Sequence, residues 1–261
     1  MAAEIDIKLT DGIQVIRFMR PEKKNAFTGA MYDAMSAALD EGERSGDIAV
    51  HVFIGSGGSF NAGNDINDFV RRANSGPDGI PAPSLNFIRR LPKVTKPMIA
   101  AVDGLAIGVG TTMLFHCDLV YATPAASLRT PFLDLGLVPE AASSLTAVLR
   151  MGHARAFELL CLGEPFNAER AKDAGIVNAI VPAEELEATA MKTAMRLTKK
   201  PRDALMAARR LMRGQVDAHS AQIEEEAKVF QTRMKSAEAQ EAFAAFFEKR
   251  PPDFTKLRRK D

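Results

Sequence analysis

The chain of 261 residues is short of the features that mark several protein classes. It has two cysteines, Cys117 and Cys161, far apart and with no CxxC between them. Both sit in apolar segments, which predicts buried, reduced thiols rather than a disulfide framework. Its four histidines, His51, His116, His153 and His219, form no HxxxH or HExxH pair. No metal site is therefore expected. Charge of one sign is also missing: 34 basic residues against 33 acidic give a net charge of +1. That balance argues against nucleic acid or a membrane surface as the main partner, although local basic groups remain available for a phosphorylated ligand. No apolar run reaches membrane-spanning length. The first residues, MAAEIDIKLTDG, carry acids and no apolar core, and the last, KLRRKD, are not of the peroxisomal SKL type. These signs together predict a cytoplasmic protein.

What is present is ordinary for a globular chain, with 46% hydrophobic and 26% charged residues. Strand patterns fall at 13–19 (IQVIRFM), 49–54 (AVHVFI), 98–102, 119–122, 127–130 and 176–181. Helical spacing appears over 27–45, where Met31, Met35, Ala38 and Leu39 share a face, and over 66–73, 84–91, 108–117, 154–162 and 167–175. Pro139 is read as opening a further helix, with Glu140 in its first turn. From residue 183 the pattern is all helical: 183–199, 202–213 and one long helix across 217–249. Alternating strands and helices predict an α/β fold. The change of character predicts a strand-rich core over 1–182 and a helical region over 183–261.

Two glycine-rich turns interrupt this pattern. GSGGSFNAGND (55–65) follows a buried strand, with Asp65 placed to cap the next helix. DGLAIGVG (103–110) follows the next one. Neither fits a P-loop or a Rossmann fingerprint. Both offer backbone N–H groups near a helix start, and two such donors converging on one oxygen make an oxyanion hole. The segment NSGPDGIPAP (74–83) is rich in breakers, and its place after the first turn suits a flap over a ligand.

Six stretches carry a resemblance: FNAGNDINDF (60–69), KPMIAAVDGLAIGVG (96–110), CDLVYAT (117–123), LGLVPEAASSL (135–145), NAERAKDAGIVNAIVP (167–182) and FFEKRPPDF (246–254). In order and spacing they resemble the enoyl-CoA hydratase/isomerase, or crotonase, superfamily over nearly the whole chain. The resemblance implies a spiral of ββα units with a helical C-terminal trimerisation region, in trimers or dimers of trimers. It also implies an acyl-CoA substrate, with CoA as carrier and no further cofactor. It places the oxyanion-hole amides at Asn64 and Val109, beside Ala62, Asp65, Ile66 and Gly108. The loop Lys23, Lys24, Asn25, Ala26 and the C-terminal Lys249 match segments that meet CoA, while Phe69, Phe87 and Phe132 are candidates for the acyl tunnel.

The departures from the family pattern narrow the chemistry. Where hydratases of the family carry their two glutamates, this chain has Thr112 and Phe132. Hydration needs one group to activate water and one to supply a proton. Moving a double bond needs a single base, and Glu140 in LGLVPEAAS falls where Δ3,Δ2-enoyl-CoA isomerases carry theirs. GNDINDF likewise resembles the peroxisomal-type isomerase branch, with Asn where hydratases usually read AGAD. Desolvation among Leu135, Leu137, Val138, Ala141 and Ala142 raises the pKa of Glu140, whereas a helix N-terminus lowers it, so the two oppose. Asp134 is a candidate second acid. The expected activity is Δ3,Δ2-enoyl-CoA isomerisation in fatty-acid β-oxidation. The alternatives are another acyl-CoA enzyme such as an enoyl-CoA hydratase, and a catalytically silent acyl-CoA-binding homologue.

Overall fold

The computed structural model describes residues 4–75, 82–214 and 216–257. The chain opens with a hairpin of β1 (Ile5–Thr10) and β2 (Ile13–Phe18), paired Thr10 to Ile13. Its turn is Asp11-Gly12, at φ 50° and 79°, the left-handed pair a tight hairpin requires. β1 exposes most of its side chains as an edge strand, which blunted its sequence signal. Next come α1 (Gly29–Arg44), capped by Thr28, whose hydroxyl accepts from the Met31 amide, and β3 (Val50–Ile54). Met31, Met35, Ala38 and Leu39 are buried on one face of α1, as their spacing predicted.

A spiral follows, each turn giving one strand to each of two sheets. After β3, Asn61 forms a lone parallel bridge with Ala106, and the chain enters α2 (Ile66–Ser75) and α3 (Ala82–Arg90). β4 (Met98–Val102) leads to β5 (Leu105–Ile107) and the short α4 (Val109–Thr112). β6 (Leu119–Ala122) and β7 (Ser127–Arg129) lead to α5 (Ser143–Met151) and α6 (His153–Leu160). β8 (Phe166–Asn167), α7 (Ala168–Asp173) and β9 (Ala179–Ile180) close the series. The larger sheet runs β1-β2-β3-β4-β6-β9 and the smaller β5-β7-β8. All residues of β3 and β4 are buried, as expected for parallel strands covered on both faces.

Between the sheets and α1, Phe18 packs edge-on to Phe27 and Phe60 at 4.8 and 5.2 Å. The other face of the larger sheet, with Ile13, Val50, Val52 and Ile99, is covered by Leu186, Ala190 and Ala194 of α8 (Leu186–Thr198). α9 (Arg202–Arg213), α10 (Val216–Met234) and α11 (Ala237–Glu248) complete the chain. No helix among the described residues is long and apolar enough to cross a membrane.

Four boundaries differ from the sequence reading. The helix expected across 217–249 is two, because Ser236 starts afresh by accepting from the Ala239 amide at 3.2 Å. The one expected over 108–117 is α-helical only to Thr112 and then tightens to a 3-10 turn over Met113–His116. Of the strand expected over 176–181, only Ala179–Ile180 pairs. The helix expected from Pro139 begins at Ser143, so Glu140 is not in a helix's first turn. Of the breaker-rich segment, 74–75 and 82–83 are helical, while 76–81, the heart of the expected flap, lie outside the described residues.

Candidate active site

The two glycine-rich turns lie side by side because one asparagine ties them together. The Asn61 side chain donates to Asn25 O at 2.6 Å and accepts from the Gly63 amide at 2.8 Å. Its backbone O accepts from Ile107 N at 2.8 Å, and its N–H donates to Leu105 O at 2.9 Å. The approach is so close that a Cβ at Gly110 would stand 2.6 Å from Asn61 Oδ1.

This packing frees two amides. Phe27 makes a parallel bridge with Asn64, which spends Gly63 O and Asp65 N and leaves the Asn64 N–H facing away from Phe27. Val109 is the first residue of α4, so its N–H has no acceptor within the helix. Gly108 before it, at φ 55° and ψ −117°, makes the turn. Asn64 is also held by its side chain, since the Tyr32 hydroxyl donates to its Oδ1 at 2.6 Å.

Ala62, Gly63, Asn64, Ile66, Gly108 and Val109 line one cavity of about 400 Å³. Glu140 faces the same space, among Phe69, Phe132, Leu137 and Phe230. The Thr112 hydroxyl donates to Glu140 Oε1 at 3.0 Å. Thr112, which the sequence reading set in the place of one hydratase glutamate, thus touches Glu140. Glu140 lies deep in the protein, and its remaining exposure reflects the cavity it lines. Burial pushes its carboxyl up to about 7; the Thr112 hydroxyl pulls the other way and the Glu226 charge adds to the rise. Without the expected helix N-terminus beneath it, desolvation prevails.

Other candidates stand apart from the cavity in this chain. Lys23 and Lys24 are exposed on a 3-10 turn, touching the site only through Lys24 O, which accepts from the Ala62 amide at 3.0 Å. Asn25 is fully buried and its side chain is committed, donating to Ser56 O and Ser59 O and accepting from Arg20 N. Ala26 O accepts from Arg20, which also pairs with Asp65 at 2.9 Å. Lys249 is exposed beyond α11 in the left-handed region. Phe87 packs on Tyr32 in the core, 5.6 Å between rings, and not on the cavity. Asp134 does line the cavity but is paired with Arg129 at 3.0 Å.

Sequence reasoning missed Tyr32, His116 and Glu226, and the roof of Phe230, Phe243 and Phe246. The aromatics follow an amphipathic helical pattern that says only that a face is buried. The polar three carry no local motif. Among the described residues, no group of three His, Cys, Asp or Glu is placed to hold a metal ion.

Two amides with no acceptor among the described residues and a carboxyl poised near neutrality share one apolar cavity. Such a site can hold negative charge developing on an oxygen while a proton moves at a nearby carbon. Comparison with known proteins agrees with that chemistry. Residues 8–258 match the family profile described as enoyl-CoA hydratase/isomerase. The chain is 32% identical to the 1,2-epoxyphenylacetyl-CoA isomerase of Escherichia coli, over 94% of this chain and 95% of that one. It is also 32% identical to the enoyl-CoA delta isomerase 2 of Rattus norvegicus, over 92% of this chain, though it spans only 62% of that longer protein. A solved enoyl-CoA hydratase/isomerase from Pseudoalteromonas atlantica superposes with a TM-score of 0.90 at 36% identity, covering 97% of this chain and 100% of the other. Zipped glycine turns, the two-sheet spiral and a match along nearly the whole length lead to one assignment: the chain belongs to the enoyl-CoA hydratase/isomerase family.

Proposed function

We propose that the protein is a Δ3,Δ2-enoyl-CoA isomerase that converts 3-enoyl-CoA to trans-2-enoyl-CoA in fatty-acid β-oxidation. The supporting observation is a single cavity acid with no basic partner among the described residues. Of the two carboxylates among the described residues that line the cavity, Asp134 is tied to Arg129, and only Glu140 stands beside the paired amides. Glu140 takes a proton from the carbon α to the thioester. The electron pair moves into a dienolate, whose oxygen accepts from the Asn64 and Val109 amides. Glu140 then returns the proton to the γ carbon. A group near pH 7 suits both halves of this exchange. The step needs no metal or redox cofactor, because CoA serves only as carrier.

Hydration is disfavoured by Thr112 and Phe132, neither of which supplies a second acid or base. The CoA portion is assigned to Lys23 and Lys24, whose turn abuts Ala62, and to Lys249 of a neighbouring copy in a homotrimer or dimer of trimers. A cytoplasmic setting completes the reading. The test is a 3-enoyl-CoA isomerase assay on wild type and Glu140→Ala. The variant should lose at least about 10³-fold in kcat while still binding acyl-CoA. A variant that keeps most of its activity removes Glu140 from the mechanism. Robust hydration of crotonyl-CoA by wild type would favour a hydratase, and tight binding with no turnover a silent homologue.

A further inference from the structure

Glu140 is followed by two alanines in an unusual conformation. Ala141 and Ala142 have φ of 60° and 55°, both left-handed. For a residue with a Cβ each such position costs about 1–2 kcal/mol, so the surroundings must impose it. The turn is held from two sides. His116, kept neutral by burial, donates Nε2–H to Ala141 O at 2.7 Å. On the other side stands Glu226 of α10, buried to 6% exposure. One carboxylate oxygen accepts from the Ala142 amide at 2.6 Å; the other accepts from the Ser144 amide at 3.0 Å and from the Ser144 hydroxyl. Gln222, one turn earlier on α10, donates to that hydroxyl at 2.9 Å.

Glu140 and Glu226 also line one small chamber of about 20 Å³, walled by Phe69, Leu85, Ile88 and Phe230. Two carboxylates that share apolar walls act on each other far more strongly than they would through water.

Taking Glu140 as the proton-transfer group, as proposed above and on which this step rests, we infer that Glu226 is a positioning residue for it. Its carboxylate clamps the left-handed turn that aims Glu140 into the cavity, and its negative charge faces Glu140 across the chamber. The groups acting on Glu140 are the Thr112 hydroxyl from α4 and the Glu226 charge from α10, and Tyr32 on α1 feels Glu140 in turn. Burial raises the Glu226 carboxyl, and the Ser144 hydroxyl and the Ser144 and Ala142 amides act against that rise to favour its charged form. Arg129 and Asp134 lie elsewhere on the main cavity's wall, paired with each other. The charge of Glu226 therefore adds to the effect of burial in raising the pH at which Glu140 becomes a base, and its reach sets where that base points.

The test is the pH dependence of kcat and KM for 3-enoyl-CoA isomerisation in wild type, Glu226→Gln, Glu226→Asp and Glu140→Gln. Glu226→Gln removes the charge and one acceptor. Its acid limb should fall by about half a pH unit or more, with kcat down about tenfold and KM within about twofold. Glu226→Asp keeps the charge but shortens the reach, so the limb should stay at the wild-type pH while kcat drops. A folded Glu226→Gln that melts earlier but keeps the wild-type limb makes Glu226 a helix cap only and overturns the inference. Should Glu226→Gln fail to fold, Glu226→Asp decides: wild-type kcat overturns it, and a kcat loss at constant KM supports it. An active Glu140→Gln sinks the isomerase reading itself, whereas an inactive one with an unmoved Glu226→Gln limb sinks this inference alone.

Discussion

At the scale of the residue, Glu140 shows how a buried acid strains the fold that holds it. A glutamate ordinarily ionises near 4.5, and in the folded protein Glu140 does so near 7. Between those values the native state holds a proton that the unfolded chain has released. Stability therefore falls as pH climbs through this window, by about 3 kcal/mol once pH passes 7. Glu140→Gln keeps the shape and never ionises. It should be more stable than wild type by up to about 3 kcal/mol at pH 8, with the gain gone below about pH 4.5. Urea unfolding at pH 4.5 and 8 measures this, and an equal difference at both would show that ionisation is not the cause. The identity of Glu140 was legible in LGLVPEAAS, but its setting was not. Two alanines after it, the best helix formers, argue for a continued helix. The left-handed turn is imposed instead by His116 and Glu226, which no local rule connects to it.

At the scale of the element, the paired glycine turns leave little room for a side chain. Gly110→Ala would drive a methyl to 2.6 Å from Asn61 Oδ1 and 2.9 Å from Asn61 O. The turns must part, which moves Val109 away from Asn64. The expected result is a loss of about 1–3 kcal/mol in stability and about 10–100-fold in kcat/KM. Gly46→Ala, whose Cβ would meet nothing within 4 Å, is the silent control. Steady-state kinetics and thermal melts of both variants check this, and a fully active Gly110→Ala would contradict the close approach. Elements with a period were readable, such as α1 and the buried strands β3 and β4. β5 and β8 were not, because β5 lies inside the glycine-rich passage read as a turn and β8 runs directly into the cap of α7, and their pairing comes from the spiral.

At the scale of the whole molecule, the helical tail is part of the site. Phe230 of α10 and Phe243 and Phe246 of α11 line the same cavity as the turns of the sheet core. The fold class was legible because six motifs recur in order along the chain. What was not legible is which distant surfaces meet. Asn61 reaches Asn25 across 36 positions, Thr112 reaches Glu140 across 28, and Glu226 reaches Ala142 across 84. Each of these closures joins parts of the chain that must first find their own places. The asparagine tie therefore has a consequence in time as well as in space. During refolding from urea, helices form locally and early, whereas catalysis must wait for every long-range closure. Far-UV circular dichroism should recover ahead of isomerase activity, and the delay should persist at protein concentrations high enough that subunit association no longer limits it. Coincident recovery of the two signals would mean that the catalytic apparatus is born with the first helices rather than last.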